Sequence, residues 1–266
     1  MKVFISADIE GVAGVNDWKE CSDEHPDYSY FKKRMTLEVA GSCEGALDAG
    51  ATEIVVKDAH NSARNIIISE LPTPVEVIRG WSGHPYLMME GIDDSFDAAM
   101  MVGYHDKAGS DRNPLAHTIS SRSFAAININ GTLASEFLIN AYTAALHQVP
   151  VVFISGDHGI CDDAKVFEPM IETAPVKRGV GGSTISIHPQ LAVDKIKDAA
   201  RMSLTGDAVA RKPELPEYFD VELEYMDFKD AYRSSFYPGA VLKDTKTISF
   251  STDDYFNVLK LLMFVN

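Results

Sequence analysis

Short apolar runs rich in β-branched residues alternate with longer stretches of helical spacing through the first 160 residues. Residues 2–7, 53–57, 75–78, 98–102 and 150–155 read as strands, most of them buried. Residues 30–49 carry Phe31, Met35, Val39, Cys43, Ala46 and Leu47 near helical spacing, and Gly50 is a fitting helix stop. Residues 125–129 and 132–133 flank Asn130-Gly131, a pair suited to a type I′ turn, and predict a hairpin. Residues 135–147 predict an amphipathic helix capped by Ser135. The pattern then changes. Residues 189–204 and 254–264 read as helices, and 221–225 and 247–251 alternate like half-exposed strands. Residues 211–217, with Pro213 and Pro216, form a rigid connector.

Strands alternating with helices predict an α/β fold, a mostly parallel Rossmann-like sheet with flanking helices. The later pattern predicts a smaller C-terminal α+β lobe. The expected boundary lies near residue 165, giving domains 1–165 and 166–266.

Composition narrows the function classes. Hydrophobic residues make up 45% and charged residues 24%, the balance of a globular protein. Apolar runs fall short of the ~18–20 residues that span a bilayer. The N-terminus reads as a buried strand rather than a signal peptide, so a cytoplasmic location is expected. A net charge of −15 repels phosphate backbones and anionic lipid, which argues against nucleic-acid and membrane partners. Three cysteines without short spacing give neither a disulfide framework nor a cysteine-type zinc site, and Cys43 fits a packing role.

Candidate chemistry collects at the carboxyl ends of the predicted strands, where open α/β sheets bind ligands. The first strand runs into Asp8 and Glu10, the second into Asp58 and His60, and the fourth into His105; the hairpin leads to Glu136. Asp8 and Glu10, two apart in an extended segment, share one face. Two carboxylates forced together repel unless a cation lies between them. Imidazoles at 60 and 105 add neutral nitrogen donors that suit zinc. Five donors, three anionic, exceed one tetrahedral zinc and fit two ions ~3.5–4 Å apart, with Asp8 as the shared ligand. Each residue alone has a plainer use: Glu136, for instance, would favour a helix dipole. The five together at one sheet edge favour a site.

Other residues extend this picture. His117, after a polar loop, suits a proton carrier or hydrogen-bond donor beside the metals. Asp58 is a candidate for orienting a ligand histidine. Lys177, with Arg178, is a candidate cation for a substrate carboxylate or an oxyanion. The glycines at 11–14 lack dinucleotide-fingerprint spacing, and those at 179–182 lack a clear preceding strand and a GK[ST] ending, so phosphate binding is not expected at either.

Ser6-x-Asp8-x-Glu10-Gly11, Asp58-x-His60, Gly103-Tyr104-His105, Ala116-His117-Thr118 and Ser135-Glu136-x-x-x-Asn140-Ala141 resemble the M55 peptidases, a family of zinc-dependent D-aminopeptidases. The resemblance runs over nearly the whole chain and is densest over residues 1–157. It implies a dinuclear zinc aminopeptidase that cuts the N-terminal amide bond of short peptides with a metal-activated water. Asp8 would bridge two Zn2+ per subunit, Glu10 and His105 would complete one site, and His60 and Glu136 the other. Manganese and cobalt suit the same donors. His117 matches the family's catalytic histidine. A homo-oligomer, a ring-shaped decamer of stacked pentamers, is also implied. The sequence departs from the family pattern at residues 21–30, at Ala134-Ser135, and at Ala116 and Thr118, which bears on pocket shape and on the preference for D-amino acids. Two other readings use the same sheet edge: a metal-dependent phosphoesterase and a non-catalytic small-molecule binding protein.

Overall fold

Val3, Phe4, Ile5 and Ala7 are all fully buried, because their strand lies at the centre of a sheet covered on both faces. The computed structural model describes residues 1–266, the side chain of Ala208 excepted. Its strands are β1 (Lys2–Ala7), β2 (Glu53–Asp58), β3 (Val75–Ile78), β4 (Ala98–Tyr104), β5 (Phe124–Ile129), β6 (Thr132–Leu133), β7 (Val151–Asp157), β8 (Glu172–Val180), β9 (Ser183–Ser186), β10 (Phe219–Tyr225), β11 (Val241–Leu242) and β12 (Thr247–Thr252). Its α-helices are α1 (Trp18–Cys21), α2 (Tyr28–Asp48), α3 (Glu136–Leu146), α4 (His158–Phe167), α5 (Pro189–Thr205), α6 (Phe228–Ser234) and α7 (Tyr255–Val265).

The larger sheet runs β3-β2-β1-β4-β7-β8-β9 and is parallel except for β9, which pairs antiparallel with β8. This is the expected mostly parallel α/β architecture. Strand order reverses between β1 and β4, and such a switch point opens a crevice at the carboxyl ends. Alternate residues of β1 serve opposite cores. Val3 and Ile5 pack with Met35, Val39 and Ile196 of α2 and α5, and Phe4 packs with Met101, Phe137 and Ile160.

The second sheet, β11-β12-β10-β5-β6, is antiparallel. Asn130 and Gly131 both adopt positive φ, +53° and +77°, as a type I′ turn requires. Helix α3 lies between the two sheets. Phe137, Ala141 and Ala144 join the core beneath β4 and β7, whereas Leu138 and Ile139 join the core of the second sheet with Val258 and Leu262.

Sheet membership does not divide at residue 165. Strands β8 and β9 and helix α5 follow that point yet extend the larger sheet, and β5 and β6 precede it yet belong to the smaller one. The glycines at 179–182 end β8 and turn into β9, so the stretch is a hairpin with a preceding strand. Among the described residues, no helix is long and apolar enough to cross a membrane.

Candidate metal centre

The crevice at the switch point gathers side chains from five segments. Asp8 and Glu10 follow β1, His60 follows β2, His105 follows β4, His117 lies on the connection to β5, and Glu136 opens α3. The ends of β1 and β4 touch backbone to backbone. Asp8 N–H donates to the Val102 carbonyl and Gly11 N–H to the Gly103 carbonyl, both at 2.8 Å. A Cβ on Gly11 would lie 1.8 Å from the Tyr104 carbonyl oxygen, so only glycine permits this approach. Below, the buried Tyr104 hydroxyl meets Ser6 Oγ at 2.7 Å and accepts from Asn140 Nδ2 at 2.8 Å, joining β1, β4 and α3. Ser135 caps α3 by accepting from Leu138 N–H at 3.2 Å, which fixes where Glu136 leaves the helix.

The donor atoms form two groups around Asp8. His60 Nδ1 lies 3.2 Å from Asp8 Oδ1 and 2.9 Å from Glu10 Oε2. His105 Nε2 lies 3.4 Å from Asp8 Oδ2 and 3.3 Å from Glu136 Oε2. One ligand atom from each of Asp8, Glu10 and His60 lies within 4.8 Å of the others, as holds for His105, His117 and Glu136. The geometry thus pairs Glu10 with His60 and Glu136 with His105, in place of the expected Glu10–His105 and His60–Glu136. The reason is local. Glu10 and His60 leave adjacent strands β1 and β2, whereas α3 brings Glu136 to the β4 side.

Each imidazole is oriented from behind by a carbonyl. His60 Nε2 donates to the Cys21 carbonyl at 2.8 Å, His105 Nδ1 to the Asp106 carbonyl at 2.9 Å, and His117 Nδ1 to the Leu115 carbonyl at 2.9 Å. A carbonyl only accepts, so the rear nitrogen carries the proton and the front nitrogen of a neutral ring presents a lone pair. Asp8 Oδ2, Glu10 Oε2 and His105 Nε2 are buried without a hydrogen-bond partner. Lone pairs facing carboxylates repel, so the arrangement requires positive charge between them: protons on the imidazoles, or a divalent cation.

Electrostatics agree. Burial disfavours charge on His60 and His105, yet Glu10 beside the first and Glu136 beside the second, with Asp8 touching both, hold the imidazoles well above the usual histidine range. Glu10, despite its burial, is drawn well below the carboxylate range by His60, and Glu136 is lowered by His105. Asp8, buried and repelled by Glu10, is raised. The residues present therefore fit a cation site of mixed oxygen and nitrogen donors, the set that zinc takes.

Two expected site residues have other work. Lys177 is fully buried in β8, and its ammonium donates to the Glu10 carbonyl and, at 2.6 Å, to the Val15 carbonyl. It clamps the loop after β1 and does not face the pocket as a substrate cation. Asp58 accepts from Asn65 N–H at 2.6 Å and Ile66 N–H at 2.8 Å, folding the loop that follows His60. The His60 ring takes its orientation from Cys21 instead.

The centre forms the floor of a pocket of about 980 Å³, walled in part by Trp18, Trp81, Met88 and Ile119. His117 stacks on His105 with centroids 4.2 Å apart and rings 6° from parallel, and Trp18 meets its edge at 5.2 Å. The Cys21 carbonyl, Trp18, Trp81 and Ile119 carried no sequence signal of this kind. Backbone orienters leave no side-chain signature, and an isolated tryptophan fits a core as well as a pocket wall.

Comparison with known proteins is consistent along the whole chain. The family model for peptidase M55, D-aminopeptidase, matches residues 1–264. A D-aminopeptidase of Bacillus subtilis (strain 168) is 27% identical, with 99% of this chain and 96% of the relative covered. Among solved structures, the Zn-dependent D-aminopeptidase DppA from Bacillus subtilis, a self-compartmentalizing protease, superposes with a TM-score of 0.93 at 26% identity, covering 100% of this chain and 96% of that one.

Proposed function

The chain belongs to the M55 peptidase family and is a hydrolase of the aminopeptidase class, and from that premise we propose that it is a dinuclear zinc enzyme removing the N-terminal residue from short peptides, D-amino-acid peptides among them. The observation that carries this reading is the arrangement of Asp8, with one oxygen toward His60 and Glu10 and the other toward His105 and Glu136. Asp8 would bridge, Glu10 and His60 would hold one ion, and His105 and Glu136 the other. Bound zinc would supply a Lewis acid and an acidified water at neutral pH.

The chain's own residues do the rest. The carbonyls of Cys21 and Asp106 keep the His60 and His105 rings turned so that their free nitrogens face the carboxylates. Asp23 and Glu24, which line the pocket and hold no metal in this reading, attract the ammonium of a peptide N-terminus. His117, less buried than the other imidazoles, lines the pocket and has its Nδ1 committed to the Leu115 carbonyl. Its Nε2, 3.7 Å from Glu136 Oε1, is free to hold a proton for the leaving amine or for the oxygen of the tetrahedral intermediate. Trp18 and Met88 add apolar surface to the pocket wall.

Homo-oligomeric assembly, as a ring-shaped decamer, belongs to the same proposal. The self-compartmentalizing character of the Bacillus subtilis relative supports it. So do the aromatic side chains of Phe228, Tyr232 and Phe236, exposed on and just after α6. Sedimentation velocity of the zinc-loaded protein checks it, and a monomer at micromolar concentration would refute it.

The test of the catalytic reading is metal analysis of the purified protein, with hydrolysis of D- and L-alanyl dipeptides measured before and after chelation. Two zinc equivalents per chain, and activity lost on chelation and restored by zinc, are expected. One equivalent at full activity would refute the dinuclear reading. Hydrolysis of nitrophenyl phosphate in place of peptides would refute the peptidase reading.

A further inference from the structure

Five side-chain carboxylates line the pocket: Asp8, Glu10 and Glu136 on the floor, with Asp23 and Glu24 from the segment before α2. One arginine and no lysine line it, and that arginine is Arg122. Its side chain is exposed and has no salt bridge among the described residues. Outside the metal centre this guanidinium stands beside acids without pairing with one, which leaves it open to a ligand.

The segment that carries Arg122 is built rather than loose. Thr118 Oγ donates to the Ala134 carbonyl at 2.8 Å, and Ser120 N–H to the Thr118 carbonyl at 2.7 Å. Ser120 Oγ bonds Ser123 Oγ at 3.0 Å. Ile119 adopts φ of +64°, a conformation costly for a β-branched residue, and its N–H donates to Glu136 Oε1 at 2.8 Å. The turn therefore ties the arginine's loop to a side chain of the candidate metal centre and holds Ile119, Ser120, Ser121 and Arg122 along the pocket wall.

We propose that Arg122 binds the C-terminal carboxylate of the substrate, so that the pocket selects short peptides with a free C-terminus. The inference rests on the aminopeptidase reading above and adds a specificity residue to it. A short peptide is a zwitterion. Asp23 and Glu24, the lining acids outside the metal centre, attract its ammonium, and beyond that centre Arg122 is the basic side chain left for its carboxylate. A guanidinium offers a two-pronged match to a carboxylate. An extended dipeptide spans at most about 7 Å, a length that a pocket of about 980 Å³ accommodates with its ends apart. The C-terminus of a long chain lies beyond a pocket of this volume, so an arginine on the pocket wall discriminates by length.

The experiment uses the zinc-loaded full chain with three substrates: an alanyl-alanine dipeptide of the enantiomer that is cleaved, its C-terminal amide, and the alanyl nitroanilide. For the unmodified protein, kcat/KM is expected to favour the free acid over the amide about tenfold, mostly through KM. Arg122→Gln should abolish that preference while leaving the nitroanilide rate unchanged, and Arg122→Lys should restore part of it. Equal rates on acid and amide, or a preference that survives in Arg122→Gln, overturn the assignment. In that event continued cleavage of the nitroanilide leaves the aminopeptidase reading standing. Failure to cleave any of the three removes both.

Discussion

Replacing Gly11 by alanine tests whether the contact between the ends of β1 and β4 holds the site together. The added Cβ would lie 1.8 Å from the Tyr104 carbonyl oxygen and 2.6 Å from the Gly103 carbonyl oxygen. An ordinary carbon–oxygen contact is about 3.3 Å, so the two segments must part by roughly 1.5 Å. Tyr104 has no room to retreat, because its carbonyl is approached from the other side by Gly156, where a Cβ would lie at 1.9 Å. Parting the segments disrupts the Gly11–Gly103 and Asp8–Val102 hydrogen bonds, about 1 kcal/mol each. Crowding adds about 1–3 kcal/mol. The sum, about 3–5 kcal/mol, lowers Tm by roughly 6–20 °C for a chain of this size. Separation also pulls Glu10 and Asp8 away from His105, so zinc retention should fall. The assay is thermal unfolding with and without zinc, together with zinc loss to a competing chelator. Gly182→Ala is the control, since a Cβ there meets nothing within 4 Å. If Gly11→Ala melts within a degree or two of Gly182→Ala and holds zinc equally well, the argument from backbone contact is wrong.

Two further outcomes follow from side chains near the same loop. His117→Ala should retain zinc and lose about 10²–10⁴-fold in kcat; metal analysis alongside steady-state kinetics reads this, and unchanged turnover would remove the residue from the mechanism. Glu38 is fully buried on α2, and burial, only partly offset by the hydrogen bond from Ala13 N–H, pushes its carboxyl from 4.5 up to about 7. The folded state then binds more protons than the unfolded chain between those values, so this group's contribution to stability is present below about 4.5 and is lost as pH rises toward 7. The loss is on the order of 3 kcal/mol. Glu38→Gln should accordingly match the native protein near pH 4.5 and exceed its stability at pH 8, and denaturant unfolding at the two pH values would expose an error if the variant is the less stable at pH 8.

Much of the parallel sheet was legible because its strands are local, apolar and separated by helices. The tight turn at Asn130-Gly131 was legible because two successive residues with positive φ demand that pair. Strand β8 escaped notice because Pro175, Lys177 and Arg178 interrupt any apolar run. Its lysine is buried because two backbone carbonyls of another loop receive its ammonium, a partnership that periodicity cannot reveal. Five of the six clustered side chains were legible by type and by position after predicted strands, and His117 by type after a polar loop, but their grouping was not. Spacing along the chain says nothing about which strand neighbours which, and the β2-β1-β4 order decides that His60 faces Glu10. Pairing of β5 with β10, about ninety residues later, is likewise non-local.

The place of α3 explains why the frame of the site is wider than the segment containing its residues. All six clustered side chains lie between Asp8 and Glu136. Yet Glu136 stands at the head of a helix whose Phe137 and Ala141 are seated under the larger sheet and whose Leu138 and Ile139 are seated under the smaller one. Tyr255 of α7 adds a hydrogen bond to the Ile139 carbonyl at 2.7 Å. The loop after β1 depends in turn on Lys177 of β8. Residues beyond 165 therefore supply no member of the cluster but hold two of its acidic members, Glu10 and Glu136, in register with the imidazoles. A centre assembled from carboxylates that repel one another needs such fixed backing, since without it each acid would turn outward to water.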